Sequence, residues 1–244
     1  MFSLVIGSNL LNKSKLDEAI ELFRFVLCVR LQTLPDSHVD VAQAYFWLGR
    51  TYDCKGQYNK SIEYYQKSLN ISLIKFKPNH TNIATLYNHL GSVYDRKAEY
   101  DKAIAYCHKL LTIRSATDHP DIAASHNNLG SKKKLEPDCL DVASSYIDLA
   151  KVCYHKQEYN QAIQFGEKSL KLREKKLGFN HRDVGYSYNI LGYINYRKGD
   201  KKNAKLNFEN ALSIYTRLEI KANLNLKYIV QFVLVFILFL LLDD

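Results

Sequence analysis

Recognisable chemistry is what this sequence has least of. No Cys-x-x-Cys pair occurs, and the five cysteines (Cys28, Cys54, Cys107, Cys139 and Cys153) lie far apart. An odd, scattered set argues against a disulfide framework and suits reduced, buried thiols of the cytosol. The eight histidines form no His-x-x-x-His pair and no Cys/His cluster at ligand spacing, so no metal is expected. A glycine-rich phosphate loop is also missing, and no cofactor is expected. His181-Arg182-Asp183 resembles the start of a kinase catalytic loop, but Val-Ala-Ile-Lys and Asp-Phe-Gly are absent and Tyr188 stands where that loop needs asparagine. We read it as a connector, in the same column as His119-Pro120-Asp121. The N-terminus has no charged-then-apolar leader, which argues against secretion. The one short basic run, Lys132-Lys133-Lys134, reads as solvated surface, and no nucleic-acid partner is expected.

What is present is repetition. Leu48-Gly49 and Leu90-Gly91 are 42 residues apart, as are Tyr52 and Tyr94, Tyr58 and Tyr100, and His38 and His80. Leu149-Ala150 and Leu191-Gly192 show the same spacing. A fixed period of this size marks a stacked array of supersecondary units. Within a first helix, Val41, Tyr45, Leu48, Gly49 and Tyr52 share one helical face. The partner column on second helices is small: Ala19, Ser61, Ala103, Ala162 and Ala204. We expect the partner helix to approach closely at the glycines, with Phe23, Tyr65 and Phe208 filling the gap to the next unit. No single pair can bury such a face alone; stacking neighbours buries it. The composition, 47% hydrophobic and 24% charged, is ordinary for a folded chain.

The expected fold class is therefore all-α: a right-handed superhelical solenoid of antiparallel helix pairs over residues 1–218. Its units are 1–36 (truncated), 37–78, 79–118, 119–138 (truncated), 139–180 and 181–218. In the fourth, a first helix at His119–Gly130 runs directly into Lys133–Val142, which matches the end-of-unit loop Lys175–Val184. About twenty residues are missing there, which reads as a skipped exon or internal deletion and predicts a local packing defect. Residues 219–227 follow as a linker. Tyr228–Leu242 is then apolar except for Gln231. As a helix it spans about 22 Å, against the roughly 30 Å of a bilayer core. Three readings of it stay open: a membrane anchor, an end-cap helix, and a translated intron or frameshift.

The pattern Tyr45-x-x-Leu48-Gly49-x-x-Tyr52 followed by Ser61-x-x-x-Tyr65, with Ala204-x-x-x-Phe208 closer still, resembles the tetratricopeptide repeat. The 42-residue period is longer than that family's usual 34. With the connector Arg173–His181 and the segment His119–Gly130, it is similar to the kinesin light chain type. The resemblance covers about Ile6 to Leu218. It implies a non-enzymatic, cytoplasmic scaffold or adaptor whose concave groove binds extended peptide segments of partner proteins.

The stripe that would line such a groove supplies the candidate residues: Arg50, Asn88, Ser92, Arg96, Asn127, Lys151, His155, Asn189, Tyr193 and Arg197. Asn88, Asn127 and Asn189 share a column where an amide can hold a peptide backbone through donor and acceptor together. Arg50, Arg96, Lys151 and Arg197 would favour an acidic ligand, in keeping with a net charge of +9. Charge reversal at Arg96 and Arg197 is then expected to weaken binding without lowering the melting temperature. Two other readings are carried: the repeat portion of a larger signalling enzyme or ATPase, and a tail-anchored membrane adaptor with its repeats facing the cytosol.

Overall fold

The structure is a computed structural model that describes residues 15–115 and 139–222. The expected first-helix remnant at Ile6–Leu10, the junction around Lys133, Asn127 and the tail Tyr228–Leu242 lie outside the described residues. Those described are all-α: α1 (Leu16–Thr33), α2 (Val39–Cys54), α3 (Tyr58–Lys75), α4 (Thr81–Arg96), α5 (Tyr100–Ser115), α6 (Cys139–His155), α7 (Tyr159–Leu177), α8 (Arg182–Lys198) and α9 (Lys201–Ala222). They fall into two units, residues 1–116 and 117–244.

In the first unit, α2 pairs with α3 and α4 with α5, while α1 packs on α2 and α3 on α4. The second unit pairs α6 with α7 and α8 with α9, and α7 packs on α8. Each interior is the face read from the sequence. Val41, Leu48, Ile83, Leu90, Leu149, Val184 and Leu191 are buried from first helices, and Ala19, Ala103, Ala162 and Ala204 from second helices.

The connectors and turns explain where the helices start and stop. His38, His80 and His181 each stand just before a first helix, where their Nδ1 accepts the backbone N–H two residues on at 3.1 Å. A side-chain acceptor there satisfies one of the orphan donors of the first turn. His181-Arg182-Asp183 is thus a helix start, as its column implied. Within each pair the turn needs a left-handed residue, and the same column supplies it four times: Gly56, Ala98, Gln157 and Gly199, with φ between 60° and 88°.

Two expectations change. At Gly49 and Gly192 the room in the glycine column is taken by a ring of the same pair rather than by helix backbone, whereas at Gly91 the partner backbone does come near, Ala103 O standing 3.6 Å from where a Cβ would be. A Cβ on Gly49 would stand 2.7 Å from the Tyr65 ring, and one on Gly192 would stand 2.7 Å from the Phe208 ring. In the α6–α7 pair the sizes are exchanged: Ala150 replaces the glycine, and Gly166 stands in the aromatic column with Leu191 of α8 against it. The cysteines are also not uniformly buried. Cys107 and Cys153 are, whereas Cys28 and Cys54 are exposed free thiols. The last described helix, α9, ends at Ala222.

Candidate peptide-binding surfaces

In the second unit, α6 presents Lys151, Tyr154 and His155 one helical turn apart, and α8 presents Ile190, Tyr193 and Ile194 opposite them. Together they line a hollow of about 260 Å³. Three expected residues, Lys151, His155 and Tyr193, therefore meet at one place. Asn189 and Arg197 stand one turn before and after Tyr193 on the same helix face. The Arg197 guanidinium lies 5.9 Å from the centre of the Tyr154 ring, and the Lys151 ammonium 5.5 Å from that of Tyr186. Cations over rings keep their charge while their stems stay ordered. Tyr193 meets Phe208 edge-on at 5.2 Å, which ties the wall of the hollow to the core of α9. The buried Asn189 Oδ1 has no hydrogen-bond partner among the described residues. A buried amide oxygen left unmatched costs about 1–3 kcal/mol.

The first unit is arranged differently. Asn88, Ser92 and Arg96 form one exposed line along α4. Arg96 is nevertheless engaged: its Nη2 donates to Asp53 Oδ2 of α2 at 2.5 Å. The Asp53 side chain is only 9% exposed, and its other oxygen has no partner among the described residues. Burial pushes the Asp53 carboxyl up, with Arg96 opposing the shift. Behind this pair, the His89 ring is stacked on Tyr65 at 5.3 Å and edge-on to Phe46 at 5.2 Å. Burial first, and then the Arg50 and Arg96 charges, push the imidazole down to about 4. The neutral ring is therefore an aromatic spacer between α2 and α4. Arg50 lies 5.2 Å from the centre of the Trp47 ring.

The expectation for Arg96 changes accordingly. Reversing its charge would set a carboxylate against a buried carboxylate, so stability would fall together with any binding. Lys151, His155, Tyr193 and Arg197 remain the cleaner positions.

Sequence reasoning missed three contributors. Ile190 and Ile194 stand on the α8 face of the hollow, one residue after Asn189 and Tyr193. His89 shares its column with the aromatic Trp47 but also with Asp148 and Ile190, so the repeat gave only a weak sign of its aromatic role. Tyr52 and Tyr94 are buried, as the Tyr52 column implied, and the half-buried rings of Tyr64 and Tyr106 cover them. Tyr64 stacks on Tyr52 at 5.4 Å and Tyr106 on Tyr94 at 5.5 Å, with Lys67 and Lys109 over the rings.

A family model for the tetratricopeptide repeat matches residues 2–73, 82–135 and 141–217. The chain belongs to the tetratricopeptide repeat family. Solved structures agree on the fold. The nearly identical TPR-like repeats of a kinesin light chain from Podosopora anserina match with a TM-score of 0.73 at 17% identity, over 89% of this chain and 95% of that one. BtubC from P. vanneervenii matches with 0.69 at 21% identity, over 89% and 80%. The apo form of RapI matches with 0.68 at 17% identity, over 90% and 71%. At these identities the likeness is one of fold. No curated protein sequence matches. Among the described residues, no helix is long and apolar enough to cross a membrane, and no group of three or more His, Cys, Asp or Glu is placed to hold a metal.

Proposed function

We propose that this tetratricopeptide repeat chain is a protein–protein interaction scaffold, without catalysis of its own, that holds extended acidic segments of partner proteins in the manner of a kinesin light chain. The observation that carries this reading is the hollow between α6 and α8, where Lys151, His155 and Tyr193 converge beside Arg197 and the unmatched amide of Asn189. An extended segment offers what that surface lacks. An apolar side chain can enter between Tyr193 and Ile194, and a carboxylate can approach Lys151 or Arg197. A cytoplasmic setting is supported by the exposed thiols of Cys28 and Cys54, which persist reduced in a reducing compartment.

The test is capture of partners from a cell lysate by the full chain, beside a Lys151→Glu/Arg197→Glu form. Expected is a loss of about tenfold in recovery of partners whose bound segments are acidic, the size appropriate to reversing one exposed and one half-buried charge. Neither cation has a buried carboxylate partner among the described residues, so the stability of the two forms should differ by no more than the loss of the contacts with Tyr186 and Tyr154, about 0.5–1 kcal/mol each. Equal capture by both forms would show that this hollow is not the binding surface.

A further inference from the structure

One column of the repeat carries an arginine that the α3 unit lacks. Arg30, Arg114 and Arg173 occupy it on α1, α5 and α7; on α3 the residue is Ser72, and on α9 the buried ring of Tyr215 fills the column instead. Arg30 and Arg173 each span to the start of the next first helix. Arg30 donates to the carbonyl oxygen of Asp40. Arg173 donates to the carbonyl of Asp183 at 3.1 Å and to Ser187 Oγ at 2.9 Å, and lies 5.8 Å from the centre of the Tyr186 ring. It is only 7% exposed; burial pushes its guanidinium down from the ordinary arginine value, with Asp183 and Asp148 opposing the shift.

At Ser72 the same place is hollow. A cavity of about 260 Å³ opens between α2, α3 and α4. The α4 residues lining it are Asn82, Thr85 and Leu86. These are the repeat counterparts, residue for residue, of Asp183, Tyr186 and Ser187, the three that Arg173 touches. Ser68 and Ser72 form the floor, but their hydroxyls turn to the backbone, Ser68 to Ala42 O and Ser72 to Ser68 O. Neither reaches the N-terminal turn of α4. The walls are aromatic, from Phe46, Trp47 and Phe76, and Asp40 supplies a carboxylate. Arg50 stands over Trp47 and does not line the space.

We propose that this cavity is a receptor for an arginine side chain of a partner protein, which supplies in trans the guanidinium that the neighbouring repeats supply from within the chain. A planar guanidinium donates in several directions at once and packs on aromatic faces. It can therefore meet the Asn82 carbonyl, the Asp40 carboxylate and the ring walls together. A lysine ammonium has the charge but not the plane. The site lies wholly within the first unit and stands whether or not the α6–α8 hollow binds acidic segments.

Trp47 is the sole tryptophan of the chain and lines the cavity, so its fluorescence reports occupancy. The experiment titrates the full chain with N-acetyl-arginine amide, and in parallel with the lysine and citrulline analogues; citrulline keeps the shape and loses the charge. A saturable change with the arginine probe, weaker by tenfold or more with the other two, is expected. Ser72→Arg should abolish the change by filling the cavity from inside. Asn82→Asp, which restores the carboxylate present at Asp40 and Asp183, should tighten the arginine response about threefold. No response from the unaltered chain, an equal response to all three probes, or a response that survives in folded Ser72→Arg overturns the proposal. Unchanged affinity in Asn82→Asp does so too, even if Ser72→Arg fails to fold.

Discussion

His89 shows how a single residue couples packing to protonation. Wedged between Phe46 and Tyr65 and facing Arg50 and Arg96, it is held down to about 4, against 6.5 ordinarily. The folded chain therefore refuses a proton that the unfolded chain accepts. The stability it confers is complete above about pH 6.5, is lost progressively as pH falls to about 4, and changes no further below that. The shift corresponds to at most about 3 kcal/mol. Asp53 acts in the opposite sense: its carboxyl is raised, so acid relieves the cost of burying its charge. A raw pH curve mixes the two, and a variant separates them. His89→Phe keeps a ring in the gap and removes the titration. Urea unfolding at pH 7.5 and 4.5 should show an acid loss smaller by roughly 2 kcal/mol in the variant. The same loss in both forms would mean that the imidazole takes up its proton in the folded chain.

At the scale of the element, the turns inside each helix pair hold unspent stability. Gly56 and Gly199 adopt the left-handed backbone without a Cβ, whereas Ala98 (φ 60°) and Gln157 (φ 67°) adopt it with one. A left-handed residue with a side chain costs about 1 kcal/mol relative to glycine. Nothing else crowds this column, since a Cβ at Gly56 or Gly199 meets nothing within 4 Å. Ala98→Gly and Gln157→Gly should therefore each stabilise by roughly 0.5–1 kcal/mol, read by denaturant midpoint at unchanged slope. A fall in the midpoint would refute the account of this turn. The helix starts at His38, His80 and His181 were legible in advance because a connector repeats with its cap. Which side chain fills the glycine column was not. The packing partner of Gly49 is set by the Tyr65 ring leaning back onto its own pair, and spacing along one helix carries no information about that lean.

For the whole molecule the relevant quantity is charge. The formal net charge of +9 comes from 34 basic and 25 acidic residues distributed over all the repeats. Several of the cations are held over aromatic rings, among them Lys67, Lys109, Lys151 and Arg197. Such a surface attracts acidic segments at a distance and loses that attraction within a Debye length, about 10 Å at 0.1 M salt and 3 Å at 1 M. Association of the full chain with a partner carrying an acidic segment should slow by tenfold or more between 50 mM and 500 mM NaCl, while dissociation changes less. Equal association rates at both salt concentrations would point to apolar capture alone.

The period and the helix pairing were determined by the sequence, because a repeat writes the same physical constraint several times. Apolar columns at helical spacing have one way to be buried, and Leu48, Leu90, Leu149 and Leu191 all take it. Tertiary structure alone decided what broke the repetition. Arg96 was one of four basic residues on the stripe until α2 and α4 packed and brought the buried carboxylate of Asp53 within 2.5 Å. Ser72 was an unremarkable polar residue until the contacts of Arg173 revealed what its column does, and the cavity beside Ser72 revealed what was missing. Single-site departures such as these take their meaning from neighbours distant in sequence. One helix's periodicity reports which face is buried; only packing reports what stands against it.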